Sequence, residues 1–259
     1  MKNKILHTTN LSIGYRNKSI NTVIAENINI NLSFGKLIGL IGSNGIGKST
    51  LLKTLTGIIK PLKGDVFIHN KSIKTYTNLD LAKKLSLVLT EHLPPSNLTV
   101  YEIVALGRQP YTNWLGSLST VDKTKIDNAI ALTEISTYLH KKHFEISDGQ
   151  LQKTLIARAL AQDTDLIILD EPTTHLDLVH KVTLLKLLQK LTKETGKTIL
   201  YSTHDVDLAI QLCDEMIVLS EIEVIQDEPC ALISSGIFNS IFKNENIEFD
   251  ATVGKFKIK

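Results

Sequence analysis

The chain has 259 residues, of which 42% are apolar, enough to bury one large hydrophobic core. Its 29 lysines and arginines nearly balance its 27 aspartates and glutamates, which excludes the basic surface typical of nucleic-acid binding. The start, MKNKILHTTN, lacks the apolar stretch of a secretory signal, and no run approaches the roughly 18 apolar residues of a spanning helix. We therefore expect a soluble chain. Its two cysteines, Cys213 and Cys230, lack CxxC spacing and are predicted to be small buried side chains.

Short strands are predicted for the first third of the chain. Residues 6–13, 23–32, 36–41 and 65–69 are rich in β-branched and apolar residues, with Asn or Gly between the runs. From about residue 98 to residue 144 the pattern becomes helical. Ile126, Ala129 and Ile130 recur there at helical spacing, behind a Ser-Thr-Val-Asp sequence that can cap a helix.

Short apolar runs return later in the chain, at residues 166–169, 198–201 and 216–219. Each follows a helical stretch, as the crossover helices of a parallel sheet require. Near the C-terminus, Lys255, Lys257 and Lys259 alternate with apolar residues, which predicts a closing strand. The sequence shows no internal repeat, so an α/β core with a helical insert is the simplest layout.

A glycine-rich loop follows the strand predicted at residues 36–41. It matches the pattern G-x-x-x-x-G-K-[ST], and a helix is predicted directly after it. Glycines let backbone N–H groups converge on phosphates, and the helix N-terminus adds a favourable dipole. The lysine of such a loop reaches the β- and γ-phosphates, and the hydroxyl after it ligates Mg²⁺. The predicted ATP-binding loop consists of Gly42, Ser43, Asn44, Gly45, Ile46, Gly47, Lys48, Ser49 and Thr50.

Two acids end the strand predicted at residues 166–169. The strand tips of a parallel sheet are where ligands bind, so we expect Asp170 to hold Mg²⁺ through water and Glu171 to face the attacking water. A carboxylate that orients and deprotonates such a nucleophile contributes roughly 10²–10⁴ in rate. The alternative, two acids in a solvated turn, is disfavoured by the phosphate loop upstream.

Ser147, Gly149 and Gln150 stand in the sequence Ile-Ser-Asp-Gly-Gln, which leads into a helical run. The motif stands after the phosphate loop and before Asp170 and Glu171. In that position it resembles the signature of the ATP-binding subunits of ABC transporters. The resemblance implies that the serine and the helix N-terminus bind the γ-phosphate held by the opposite subunit. Asp148 departs from the family, which has glycine there. Because an acid repels phosphate, we expect its side chain to point away from the nucleotide.

The same resemblance implies roles for three further residues. Asp177, in Thr-His-Leu-Asp, matches the residue that shapes the dimer interface. His204, behind an apolar strand, matches the histidine that contacts the γ-phosphate and helps to position the water, which completes a catalytic set with Lys48 and Glu171. Tyr15 matches the aromatic residue that stacks on adenine, a contact worth about 1–3 kcal/mol. A tyrosine of the core is the alternative.

One family feature is missing. Family members have a strand that ends in glutamine, which ligates Mg²⁺ and senses the membrane partner. Thr90 occupies that position here, and Glu91 follows. We expect the Thr90 hydroxyl, or alternatively the Glu91 carboxylate, to substitute at the metal beside Ser49 and Asp170.

The resemblance covers essentially the whole chain. Residues 98–114 and the C-terminal segment are similar to the branch that imports iron–siderophore complexes, haem and vitamin B12. It implies a single P-loop ATPase domain with a mainly parallel sheet and an N-terminal antiparallel β layer. A helical subdomain at residues 94–146 would interrupt a core of residues 1–93 and 147–259. The implied cofactors are ATP and Mg²⁺.

The implied partners are a second copy of the chain, polytopic permease subunits and, indirectly, a substrate-binding protein, with no nucleic acid. The implied location is the cytoplasmic face of the inner membrane. We expect the permease to dock on residues 94–114, which carry aromatic side chains.

Two other functions stay open. A soluble ABC ATPase without a transport role, such as an iron–sulfur assembly factor, would share these motifs. DNA-repair and translation relatives are disfavoured, because the chain lacks a long coiled-coil insert, zinc-binding cysteines and a second ATPase domain. A nucleotide-binding regulator without turnover is compatible with Asp148 and with Thr90 at the glutamine position.

Overall fold

A computed structural model describes residues 4–16, 21–90, 96–241 and 247–258. The strands are β1 (Lys4–Arg16), β2 (Asn21–Ile28), β3 (Asn31–Ser33), β4 (Leu37–Ile41), β5 (Lys63–Ile68), β6 (Lys71–Ser72), β7 (Leu85–Val88), β8 (Leu166–Leu169), β9 (Thr198–Ser202), β10 (Glu215–Leu219), β11 (Val224–Asp227), β12 (Ile247–Asp250) and β13 (Lys255–Ile258). The helices are α1 (Lys48–Leu55), α2 (Asn78–Ala82), α3 (Val100–Ala105), α4 (Thr120–Thr133), α5 (Asp148–Ala161), α6 (Leu178–Thr195), α7 (Val206–Leu212), α8 (Pro229–Ser235) and α9 (Ile237–Ile241).

The chain divides into two compact units. The first comprises residues 1–75 and 198–259, and the second comprises residues 76–197. The helical subdomain predicted at residues 94–146 falls within the second unit, and its boundaries stay a prediction.

An antiparallel sheet forms the N-terminal part of the first unit. Its strand order is β2-β1-β5-β6, and β3 also pairs with β1. The sequence predicts one strand over residues 23–32, but the structure has two, because the strand is interrupted between β2 and β3. Asn27 lies in the left-handed region at φ 56°, and the Asn29 amide donates to the Asn27 carbonyl at 2.9 Å. Asparagine tolerates the left-handed conformation, and the side chain of a second asparagine holds the turn through its hydrogen bond to the backbone, which ends the strand.

Parallel strands form the centre of the first unit. β4 pairs in parallel with both β10 and β9, and β11 pairs antiparallel with β10. Every residue of β4 and of β9 is buried, which is typical of parallel strands covered on both faces. The carboxyl ends of β4 and β9 meet at one edge, and there the chain turns towards α1 and α7. This edge carries the first part of the candidate site.

A small antiparallel sheet, β12 with β13, closes the first unit. Phe249 packs against Phe238 and Phe256, with ring centroids 4.7 and 5.0 Å apart. The predicted closing strand is confirmed for Lys255 and Lys257, and Lys259 lies outside the described residues.

The two cysteines differ in burial. Cys213 is buried, as predicted, and its Sγ lies 3.2 Å from the Tyr201 hydroxyl oxygen. Burial raises the pKa of the Cys213 thiol to about 12. The prediction is wrong for Cys230, which is exposed, because it lies next to Pro229 in the first turn of α8, on the solvent side.

In the second unit, β7 and β8 pair in parallel, and the unit also contains helices α2 to α6. Ser119 and Asp122 form a capping box at the start of α4, so the predicted cap is confirmed. Arg108 is buried in the turn after α3. Its Nε donates to Asp122 Oδ1 at 2.8 Å, and its Nη1 donates to the Ala161 carbonyl at 2.7 Å. This side chain therefore ties the turn to both α4 and α5. Throughout the described ranges, every helix is too short or too polar to span a bilayer.

Candidate functional site

The phosphate loop connects the buried strand β4 to helix α1. Gly47 precedes the helix at φ 112°, a conformation that favours glycine, and a Cβ there would overlap the Ile24 side chain. Gly47 has no side chain with which to cap α1, so the helix begins with backbone N–H groups that face the loop. Asn44 and Gly45 are exposed at the loop tip. This is the arrangement in which a loop and a helix N-terminus bind phosphate oxygens.

Lys48 lies folded back over the loop and is buried. Its Nζ donates to the carbonyls of Gly42 at 2.9 Å and Ser43 at 3.2 Å, and it lies 3.4 Å from His204 Nδ1. His204 follows β9, and β9 pairs in parallel with β4, so the carboxyl ends of the two strands bring these side chains to the same edge. Two residues that are far apart in sequence therefore meet at the phosphate loop.

Tyr15 contacts helix α1, which follows the phosphate loop. Its hydroxyl lies 3.1 Å from the Thr50 hydroxyl, while 52% of its surface stays exposed. The alternative of a core tyrosine is therefore excluded. An exposed ring beside α1 is available for stacking, although contact with adenine stays a prediction. The Ser49 side chain, next to Lys48, is also exposed.

The second unit carries the predicted acids at the end of β8. The Asp170 N–H donates to the Val88 carbonyl at 2.8 Å, and the Thr90 hydroxyl donates to the Asp170 carbonyl at 3.0 Å. The ends of β7 and β8 are thus bonded to each other twice. The Thr90 hydroxyl thus lies beside the backbone of Asp170, and its role as a metal ligand stays a prediction. Glu91 lies outside the described residues.

Glu171 stands in an unusual backbone conformation. Its φ of 48° lies in the left-handed region, which is uncommon for residues other than glycine. The Thr174 N–H donates to the Glu171 carbonyl at 3.2 Å, and the Thr174 hydroxyl donates to Glu171 Oε2 at 3.2 Å. Sequence reasoning assigned no role to Thr174. The spacing of three residues within a turn was a signal that could have identified it.

The Ser-x-Gly-Gln turn forms the start of α5. Ser147 is the N-cap, and its side chain accepts from the Gln150 N–H, while the Gln150 side chain accepts from the Ser147 N–H. This reciprocal pair is a capping box. Asp148 is the first helical residue, is exposed, and places a carboxylate in the first turn. The ring of His180 packs against Gly149: a Cβ there would lie 3.4 Å from its Cδ2.

Asp177 is the N-cap of α6. Its Oδ1 accepts from the backbone N–H of His180 and lies 2.8 Å from His180 Nδ1. The backbone hydrogen bond from His180, followed by the side-chain contact, lowers the pKa of the Asp177 carboxyl. Sequence reasoning missed His180. The signal was available, because an aspartate at an N-cap accepts a hydrogen bond from the backbone N–H three residues later, which here belongs to His180. The predicted place of Asp177 in a dimer interface stays a prediction.

The side chains predicted to ligate magnesium are Ser49, Thr90 and Asp170. They carry oxygen donors, which suit a small hard cation such as Mg²⁺. Within the described part of the chain, no group of three His, Cys, Asp or Glu side chains is arranged for a metal. Mg²⁺ usually keeps several waters and binds one or two carboxylates together with substrate phosphates. Hydroxyl and carboxylate donors of this kind suit a magnesium ion that is bound together with nucleotide phosphates.

Comparisons with known proteins agree with these motifs. A family model described as ABC transporter matches residues 25–174, more than half of the chain. A second model, described as an AAA domain, matches residues 139–210. The iron(3+)-hydroxamate import ATP-binding protein of Bacillus subtilis is 40% identical over 222 residues, which cover 86% of this chain and 81% of that protein.

Solved structures give the same result. A metal-chelate type ABC transporter in an inward-facing conformation matches with a TM-score of 0.80 and 28% identity, over 93% of this chain and 89% of that chain. A dimeric ATP-binding cassette in a post-hydrolysis state, bound to ADP and Pi, matches with a TM-score of 0.73 and 28% identity, over 86% of this chain and 98% of that chain.

Proposed function

Because the chain belongs to the ABC transporter family, whose ATP-binding subunits are ATPases, we propose that it powers uptake of an iron chelate, haem or cobalamin through a membrane permease. The observation that carries the ATPase part is the phosphate loop with Lys48 and His204 assembled at one strand edge. The name of the Bacillus subtilis relative, an iron(3+)-hydroxamate importer, supports the cargo class, and so does the metal-chelate type of the similar transporter.

The first step is capture of the triphosphate by the loop. Backbone N–H groups before α1 donate to the phosphate oxygens, and the helix dipole favours their charge. Lys48 Nζ, which now donates to two loop carbonyls, gives part of its donor capacity to the β- and γ-phosphates. His204, 3.4 Å from that Nζ, contacts the γ-phosphate beside it. Tyr15 stacks on the adenine with its exposed ring.

Hydrolysis requires a base and a cation. Glu171 orients the attacking water and takes its proton, as a positioned carboxylate does. Ser49, Asp170 and Thr90 would hold Mg²⁺, and a hydrogen bond from the Thr90 hydroxyl to the Asp170 carbonyl ties the last two together. When bound, Mg²⁺ neutralises the charge that develops on the transferred phosphoryl group.

A second copy of the chain completes each nucleotide site. The dimeric cassette bound to ADP and Pi supports this assembly. Ser147 and the N-terminus of α5 of one copy receive the γ-phosphate held by the other, and Asp177 lies in the shared interface. Closure on ATP and opening after hydrolysis then move the permease between access states.

A permease partner would hold this chain at the cytoplasmic face of the inner membrane, with a substrate-binding protein as an indirect partner. Tyr111 and Trp114, exposed by 38% and 91%, support a docking surface within residues 94–114, of which 94 and 95 lie outside the described residues. The import names of the relatives favour transport over a role in iron–sulfur assembly. Co-purification of the membrane partner and its reconstitution with this chain, followed by uptake assays with ferric hydroxamate, haem and cobalamin, identify the cargo. ATP turnover without uptake of any of the three would contradict the cargo class.

Glu171→Gln tests the hydrolytic reaction directly. The variant keeps the size of the side chain and removes its charge, so we expect the ATPase rate to fall by about 10²–10⁴ with ATP binding retained. Glu194→Gln, on the exposed face of α6, removes the same charge elsewhere in the second unit and is expected to match the parent. Parental rates in Glu171→Gln would remove Glu171 from the mechanism. Equal, near-zero rates in both parent and variant would support the regulator.

A further inference from the structure

Glu171 accepts two hydrogen bonds from Thr174, the residue three positions later in the chain. The Thr174 backbone N–H donates to the Glu171 carbonyl, and the Thr174 hydroxyl donates to Oε2 of the same residue, both at 3.2 Å. The geometry points to Thr174 as a positioning residue for the Glu171 carboxylate. This inference rests on the proposed function, in which Glu171 is the base.

The backbone of Glu171 is constrained from both sides. Before it, the Asp170 peptide is held by the Val88 carbonyl and by the Thr90 hydroxyl. After it, the turn to Thr174 closes through the backbone hydrogen bond. Between these anchors Glu171 adopts φ 48°, a conformation that persists in non-glycine residues when the surroundings over-determine it. With the backbone fixed, the remaining freedom is in the side-chain torsions, and the Thr174 hydroxyl restricts these.

The hydrogen bond also divides the two carboxylate oxygens between two tasks. Oε2 accepts from Thr174, and an ionised carboxylate has further acceptor positions with which to bind a water molecule. A base that holds its water in a fixed direction avoids the loss of rate that misplacement causes. At 3.2 Å the bond is longer than the 2.5–2.7 Å typical of strong hydroxyl-to-carboxylate bonds. We therefore expect a moderate effect on the rate.

The test compares three variants with the parent. Thr174→Val keeps the shape of the side chain and removes the hydroxyl, so kcat for ATP hydrolysis is expected to fall by about fivefold to tenfold, with KM for ATP unchanged. Thr174→Ser keeps the donor and is expected to restore most of the rate. Thr183→Val is the matched control, because the Thr183 hydroxyl donates to a backbone carbonyl, that of Val179, and not to a carboxylate.

Combination with Glu171→Gln separates this inference from the proposed function. In single-turnover measurements, adding Thr174→Val to Glu171→Gln is expected to change the residual rate by less than Thr174→Val changes the parent, because the two side chains act as one unit. If Glu171→Gln abolishes hydrolysis while Thr174→Val equals the parent, the positioning role alone is wrong. An equal rise of KM in Thr174→Val and Thr183→Val, or failure of serine to restore the rate, would also overturn it. Parental hydrolysis in Glu171→Gln would instead contradict the proposed function.

Discussion

Two helix N-termini in this protein are assigned to the same phosphate chemistry, yet they differ in what their own residues do with the helix charge. Helix α1 begins behind a glycine, and Lys48, a cation, lies buried over the loop before it. Helix α5 begins behind Ser147, whose capping box with Gln150 already satisfies N–H groups of the first turn, and Asp148 adds an anion there.

This difference teaches how much of an anion site is prepared in advance. At α1 the loop supplies donors and positive charge, so a triphosphate gains both on binding. At α5 the Asp148 carboxylate occupies the favourable end of the dipole, so a phosphate of the opposite subunit would meet a like charge there. We expect the N-terminus of α1 to dominate nucleotide affinity. We expect the N-terminus of α5 to set how readily two copies of the chain close on the nucleotide.

The largest effect is expected from Lys48→Ala. Removal of the cation takes away the main charge contact to the β- and γ-phosphates, so ATP hydrolysis is expected to fall by about 10²-fold or more and ATP binding to weaken. Lys60→Ala, an exposed lysine of the same unit, is the control for loss of one positive charge. ATPase rates and nucleotide titration measure both variants. Binding and turnover equal to the parent would remove the phosphate loop from the mechanism.

A smaller effect, and a gain where Lys48→Ala gives a loss, is expected from Asp148→Asn, which should make ATP-dependent dimerisation easier. Loss of the carboxylate removes repulsion at α5, so the ATP concentration that half-saturates dimerisation of the Glu171→Gln background is expected to fall by roughly twofold to fivefold. Because exposed charges are screened, this gain is expected to shrink in high salt. Asp127→Asn, exposed on α4, is the matched control. A gain that is the same at low and high salt, or one that Asp127→Asn reproduces, would contradict the electrostatic account.

The smallest effect is expected at α6, the third capped helix, from Asp177→Ala. The folded state lowers the pKa of the Asp177 carboxyl through its bonds to His180, so the ionised cap stabilises the fold above the unfolded pKa. That stabilisation is lost as pH falls through the lowered folded pKa. We expect the variant to melt about 2 °C below the parent at neutral pH, and the difference to vanish in acid. A difference that persists unchanged at low pH would show that the ionised cap is not its cause.

Local patterns predicted much of this molecule. The phosphate loop, the strands β4, β8, β9 and β10, and the cap of α4 follow from hydrophobic period, glycine spacing and capping residues, all of which act within a few positions along the chain. The break between β2 and β3 was missed, because a left-handed asparagine is not visible as an interruption of an apolar run. The exposure of Cys230 was missed because burial depends on which side of a helix faces the rest of the fold.

The sequence by itself determined which residues can carry phosphate chemistry: the loop ending in Lys48 and Ser49, the acids Asp170 and Glu171, and the turn at Ser147. Only the tertiary structure decided which groups meet. Lys48 reaches His204 because β4 and β9 are parallel neighbours. The Thr174 hydroxyl reaches the Glu171 carboxylate across a turn in which the Glu171 backbone is left-handed. The physical reason is that short-range periodicity records the preferences of each segment, whereas the pairing of strands and the direction of a carboxylate depend on contacts that form only when the chain is folded.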